Sequence, residues 1–191
     1  CCIKFYKNKP KNIIAVTGTN GKSSVADFFH QILSLNNVPV ATIGTLGIKI
    51  NKNFKKTQLT SPDIINLHRN LNKLKKQKIN NVLLEASSHG LYQGRLNGIN
   101  FSSAIFTNFS RDHLDYHKNM KNYFEAKMLL FTKLLKKNKA LITDQNIKEF
   151  KKLKQISNRK KLKLRLISKY ETNIEIKNLN LIGEFQKKNL I

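Results

Sequence analysis

At 191 residues the chain is long enough to bury the core of one α/β domain. Lysine and arginine number 36 against 11 acids, a formal charge of +25, which admits nucleic acid or another anion as a partner. The two cysteines, Cys1 and Cys2, are adjacent, which excludes a loop-closing disulfide framework and any metal-ligand spacing, and no apolar run is long enough for a signal sequence or a membrane span.

Much of the positive excess lies between Lys133 and Arg165, a stretch poor in aromatic stacking residues. Lysines solvating an ordinary surface are therefore the favoured reading, and no nucleic-acid partner is expected. The cysteine usage fits a reducing compartment, so a cytoplasmic protein is expected. The absence of an initial methionine points to an excised domain.

In chain order, residues 5–11 form a polar lead-in with Pro10. Residues 13–16 (Ile-Ile-Ala-Val) read as a short buried strand. A two-glycine loop follows, then a helix whose apolar face carries Val25, Phe28, Phe29, Ile32 and Leu33. A turn at 36–39 leads to a strand at 40–43, and Gly44 to Gly47 open a polar loop or hairpin around 51–53. Thr60-Ser61-Pro62-Asp63 looks like a helix start, with Ile64, Leu67, Leu71 and Leu74 as its buried stripe. Strands are expected at 81–85, 102–106 and 140–143, helices at 118–135 and within the lysine-rich stretch to 163, and a weak late strand at 174–182.

Strands alternating with helices imply an α/β, P-loop three-layer domain, its mostly parallel sheet covered by helices on both faces. Sites in such sheets lie at the carboxyl ends of strands, where Gly18, Glu85 and Asn108 fall.

The segment Thr17-Gly18-Thr19-Asn20-Gly21-Lys22-Ser23-Ser24 has the makings of a phosphate cradle. Loop amides and a helix N-terminus offer donors and partial positive charge to an anion. Lys22 would reach the β/γ-phosphates and Ser23 would hold Mg²⁺. Val16 stands where the generic pattern has its first glycine, and a simple tight turn into a helix is the alternative. Glu85 ends a buried strand and could complete the metal shell, since magnesium takes only one or two carboxylates. Arg95 offers a planar fork for a carboxylate or phosphate, or is an ordinary surface arginine. The loop 107–117 packs His113, His117, Asp112, Asp115 and Arg111 close to a strand end, a density suited to metal or phosphate work; turn capping by the two aspartates is the alternative. Lys127 lies on the next helix, and pattern alone gives it no role.

The ordered set TGTNGKSS, LTSPD, EASSHGLYQGRL, TNFSRDHLDYHKNM, YFEAKMLLF and LIGEFQKKNL resembles the Mur ligase family, and within it the MurE-type ligases. These add the third peptide residue to UDP-N-acetylmuramoyl-L-alanyl-D-glutamate in peptidoglycan precursor synthesis. The likeness runs from about Phe5 to the C-terminus and covers the family's central ATP-binding domain, residues 1–191 here, without its amino-terminal uridine-binding or carboxy-terminal domains. It implies that Gly18, Thr19, Asn20, Gly21, Lys22, Ser23 and Ser24 bind ATP. It further implies a first Mg²⁺ on Ser23 and Glu85, and a second on His113 and Lys127, the latter carbamylated by CO₂. Thr60, Ser61, Ser87, Gln93 and Arg95 would hold the UDP-muramoyl dipeptide, with Ser61 where threonine is usual. Lys22, His113 and Lys127 form the catalytic set. Gln186 departs from the family's asparagine.

The resemblance implies carboxylate activation by ATP, then attack on the acyl phosphate by meso-diaminopimelate or L-lysine, in a monomer. The rivals are another Mur-like ligase such as a folylpolyglutamate synthetase, a basic nucleic-acid-binding P-loop module, and a domain too incomplete to turn over that binds nucleotide alone.

Overall fold

The computed structural model describes residues 5–56, 60–169 and 184–190. Its strands are β1 (Asn12–Thr17), β2 (Val40–Gly44), β3 (Gly47–Ile50), β4 (Asn53–Lys55), β5 (Asn81–Glu85), β6 (Ser103–Phe106), β7 (Ala140–Thr143) and β8 (Lys163–Leu166). Helices are α1 (Lys22–Leu35), α2 (Ile64–Lys76), α3 (Ser88–Tyr92), α4 (Leu114–His117), α5 (Met120–Leu129), α6 (Phe150–Lys160) and α7 (Glu184–Leu190). The strands make one sheet in the order β4-β3-β2-β5-β1-β6-β7-β8. All neighbours from β2 to β8 pair in parallel, and β3 and β4 form an antiparallel ribbon at one edge.

Successive residues of the inner strands point to opposite faces, so both faces must be apolar. Ile13, Ala15, Val82, Leu84, Ala104 and Phe106 join the larger core, whereas Val16 and Leu83 join a second cluster, with Ile14 and Ile105 packed against it. Helix α1 docks on that second face through Val25 and Ala26. Helix α2 docks on the first through Leu67, Leu71 and Leu74, each essentially inaccessible. Burial of such a side chain contributes about 1.5–3 kcal/mol. Asp63 starts α2 by accepting from the amides of Ile65 and Asn66 at 3.0 Å each. These bonds hold its carboxyl below the usual range. It caps the helix from just outside, as good N-caps do.

Several elements depart from expectation. The helix expected over 118–135 is broken at its start: α4 ends at His117, and Lys118 adopts a left-handed φ of 68°. Asn119 then caps α5 by accepting from the Asn122 amide at 2.8 Å. Beyond Leu129 the helix widens into a π turn, Leu130–Leu134, with the Leu135 amide donating to the Leu130 carbonyl at 2.8 Å. The apolar face of α1 is narrower than its sequence suggests. Val25, Ala26 and His30 are buried, while Ile32 is 44% exposed. Strand β8 was not expected. The late strand expected at 174–182 lies outside the described residues. Among the described residues no helix is long and apolar enough to cross a membrane.

Candidate active site

The carboxyl ends of β1, β2, β5 and β6 converge on one loop. After Thr17 the chain turns through Gly18, whose φ is 153°; a Cβ there would sit 1.9 Å from Thr107 Oγ1. Only glycine allows the loop to lie so close to the end of β6. The loop is braced from that strand: Asn108 O and Oδ1 accept from the amides of Thr19 and Asn20, both at 2.9 Å. Thr107 Oγ1 donates to Asn20 O at 2.6 Å. Thr19 Oγ1 accepts from the Ser110 amide at 3.0 Å and lies 3.2 Å from Tyr123 Oη.

Helix α1 starts directly after Gly21 with no side-chain cap and no acid in its first turn. Its first amides and the positive end of its dipole therefore face outward, an arrangement that favours an anion. Lys22 Nζ folds back over the loop, donating to Gly18 O at 3.0 Å and Thr19 O at 2.8 Å. Burial lowers its pKa, partly countered by Glu85 and Asp112.

Lys127, from α5, is 1% exposed and donates to the same Gly18 carbonyl at 2.7 Å. Its ammonium sits 4.4 Å from the Tyr123 ring centroid. Burial, then the charge of Lys22, push its pKa down to about 7. A lysine in that state supplies a neutral, nucleophilic amine near neutrality.

Glu85 closes β5 and is 2% exposed. Its Oε2 accepts from Ser23 Oγ at 3.0 Å and Thr45 Oγ1 at 2.9 Å, and its Oε1 accepts from the Thr45 amide at 3.2 Å. Thr45 was not foreseen. Its signal is its place after Gly44 at the end of a strand that turns out to pair with β5. A Cβ on Gly44 would lie 2.0 Å from Glu85 Oε1, so the carboxylate needs that glycine. Ser23 and Glu85 fit a magnesium ion that shares its shell with phosphate and water. Among the described residues no three His, Cys, Asp or Glu side chains gather to hold a metal on their own.

A second network lies beside Glu85. Ser61 is fully buried, and its hydroxyl donates to the Glu85 backbone carbonyl at 2.9 Å, lies 3.1 Å from Ser87 Oγ, and accepts from the Ser87 amide at 3.2 Å. Ser61 thus enters the site as an internal brace, with its hydroxyl engaged by protein. Ser87 caps α3 by accepting from the Gly90 amide at 3.1 Å. Arg95 donates from Nη1 to Ser61 O and from Nε to Gln93 Oε1, each at 2.8 Å. Thr60 Oγ1 lies 3.1 Å from Thr45 Oγ1. The structure therefore brings Thr60, Ser61, Ser87, Gln93 and Arg95 together, next to Glu85.

His113 immediately precedes helix α4. It holds a left-handed φ of 51°, with Nε2 3.4 Å from Asp112 Oδ2. Its ring lies 5.8 Å from Tyr123, the same ring that carries Lys127. His89 and His117 join it in a cluster not anticipated from their separate motifs, with His89 5.1 Å from His113 and 5.3 Å from His117. Burial, then the neighbouring His113, lowers the pKa of His89, and burial, then His89 and His113, lowers that of His117.

The sequence profile of the Mur ligase middle domain matches residues 16–191. The chain is a Mur ligase middle domain. Among relatives of this Mur ligase domain, the UDP-N-acetylmuramoyl-L-alanyl-D-glutamate--2,6-diaminopimelate ligase of Rickettsia bellii is 39% identical over 212 residues, covering 98% of this chain and 45% of the relative. The ligase of the same name from Wigglesworthia glossinidia brevipalpis is 46% identical over 133 residues, covering 69% of this chain and 27% of the relative. A solved structure of a ligase with that name superposes with a TM-score of 0.73 at 35% identity, over 85% of this chain and 33% of that one. Escherichia coli FolC, solved with DHPP and ADP, shares the fold at a TM-score of 0.60 and 16% identity, over 85% of this chain and 44% of that one. The Mur ligase domain thus spans less than half the length of these relatives.

Proposed function

We propose that this domain is the ATP-binding part of a ligase that joins 2,6-diaminopimelate to UDP-N-acetylmuramoyl-L-alanyl-D-glutamate. One observation carries the reading: Glu85 faces two ways. Its carboxylate meets Ser23 at the phosphate loop, and its backbone carbonyl meets Ser61 of the Ser87–Gln93–Arg95 network. Carboxylate activation needs that adjacency, because a substrate acid must reach the terminal phosphate of ATP.

In this reading Gly18 to Ser24 hold the triphosphate, with the α1 amides and Lys22 turned toward it. Ser23 and Glu85 would hold a magnesium ion, whose chemistry would be to offset charge on a phosphoryl group. Thr60, Ser87, Gln93 and Arg95 orient the UDP-muramoyl dipeptide, and Ser61 fixes Ser87 and Arg95. The D-glutamyl carboxylate displaces ADP from the γ-phosphorus to give an acyl phosphate. The amine of the diamino acid then attacks the acyl carbon and releases phosphate, leaving an amide.

Lys127 suits carbamylation. Its neutral amine would add to CO₂ and lose one proton, replacing a buried cation beside Lys22 with an anion. Together with His113, across the Tyr123 ring, it would then support a second magnesium ion. A cytoplasmic monomer is the form proposed. The diamino acid follows the names of the relatives.

The test is phosphate release by the full-length protein bearing this domain, with ATP, Mg²⁺, the dipeptide, and either 2,6-diaminopimelate or lysine. Release that requires the dipeptide together with diaminopimelate is the expected result. Release supported by lysine alone would overturn the amino-acid assignment, and no dipeptide-dependent release would overturn the ligase.

A further inference from the structure

The short helix α4 is framed by two non-glycine residues at positive φ, His113 in the left-handed helical region at φ 51° and Lys118 at φ 68°, ψ −40°, at the centre of a tight turn closed by the Asn119 amide on the His117 carbonyl. Such conformations are unfavourable for residues with a side chain and persist only where surrounding contacts over-determine them. Two contacts here do so, both reaching segment 87–95. His117 is buried, with Nε2 3.0 Å from Ser88 Oγ. Tyr116 Oη accepts from Gln93 Nε2 at 2.9 Å, and its ring lies 4.0 Å from the ring of His89.

The Gln93 contact continues inward. Gln93 Oε1 receives Arg95 Nε, and Arg95 Nη1 reaches Ser61 O. Gln93 is exposed, so an amide with no acceptor for its NH₂ would rotate freely about its last torsion. Arg95, which can only donate, selects Oε1, and Tyr116 removes the remaining freedom by holding the NH₂ end. With Nε and one Nη1 hydrogen engaged, the guanidinium keeps three of its five N–H donors for a ligand, in a set orientation.

We propose that Tyr116 is a positioning residue: through Gln93 it holds Arg95 aimed at the anionic group of the acid substrate, and α4 is strained to place it there. The proposal rests on the ligase reading for the identity of that substrate. The relay itself does not.

Two measurements separate the cases. In the full-length protein, Tyr116→Phe keeps the ring against His89 and removes only the hydroxyl. Loss of one such hydrogen bond should raise the KM for the UDP-muramoyl dipeptide about five- to tenfold, with a much smaller change in kcat and in the KM for ATP. Tyr116→Ala should do no worse on the dipeptide KM beyond its loss of packing. In parallel, proton exchange at Arg95 ¹⁵Nε, followed by NMR without substrate, should quicken at least about fivefold in Tyr116→Phe.

Wild-type behaviour of Tyr116→Phe in the NMR experiment overturns the proposal, because packing alone is then what Tyr116 supplies. Faster Arg95 exchange with an unchanged dipeptide KM overturns its substrate role. If the wild-type protein shows no dipeptide-dependent turnover while Tyr116→Phe still frees Arg95, the ligase reading fails and the relay stands.

Discussion

Lys22 and Lys127 converge on one oxygen, the Gly18 carbonyl, at 3.0 and 2.7 Å. A carbonyl has two lone pairs, and here both are taken by ammonium groups. Burial lowers the proton affinity of both, and for Lys127, the deeper of the two, the charge of Lys22 lowers it further.

That burial has a sign in stability. Lys127 titrates at about 7 in the fold against an ordinary 10.5, so between those values the unfolded chain holds more protons than the folded one. Stability therefore rises with pH across that window, and the cost of burying the cation is fully present below about pH 7. Lys127→Met should raise Tm by about 5 °C at pH 6, with the gain shrinking toward pH 10. Thermal melts of both proteins at several pH values check this; a gain that grows with pH would contradict it.

The same amine should take up CO₂ where it is neutral. With ¹³C-bicarbonate at pH 8.5, a carbamate carbon resonance is expected in the wild-type protein and missing in Lys127→Arg. It should fade as pH falls below about 7. A signal identical in both proteins would place the carbamate on surface lysines instead.

Glu85 depends on its neighbour lacking a side chain. Gly44→Ala would put a methyl 2.0 Å from Glu85 Oε1 and displace the carboxylate. The Mg²⁺ concentration for half-maximal activity of the full-length protein should rise about tenfold, comparable to loss of a ligand-orienting contact. Far-UV circular dichroism should remain that of the wild type. An unchanged magnesium dependence would show that Glu85 serves the fold and not the metal.

Lys22→Ala removes the lysine that opens α1. Turnover should fall by about 10²–10³, as for removal of a group that stabilises transition-state charge. Nucleotide titration of the variant separates lost binding from lost chemistry.

Much of this was readable from local pattern. Ile13 to Val16, the Leu67–Leu71–Leu74 stripe and Asp63 follow from periodicity and capping, which need only neighbouring residues. Glu85 was readable because an acid closing a buried strand is conspicuous. Thr45 was not, because its role depends on β2 lying beside β5, which brings it to Glu85, 40 residues away in sequence. Lys118 was missed because lysine carries no preference for left-handed backbone; the break is imposed by where Tyr116 and His117 must go. Strand β8 was hidden by Lys163 and Arg165, whose exposed side chains solvate its outer positions. The His89–His113–His117 cluster joins two loops from different strand ends and has no local signature.

Core packing makes the last expectation. Leu71→Ala, at a fully buried position of α2, should cost about 2–5 kcal/mol in urea unfolding. A loss under 1 kcal/mol would mean that the site collapses around the cavity.

Thr45 has one hydroxyl hydrogen and two oxygens within reach, Glu85 Oε2 at 2.9 Å and Thr60 Oγ1 at 3.1 Å. It can serve one at a time. The ionised carboxylate is the stronger acceptor and takes it. A cation drawn to Glu85 would compete for that oxygen and leave the hydrogen to turn toward Thr60. The phosphate loop's carboxylate and the Thr60–Ser61 turn thus meet at a single hydroxyl.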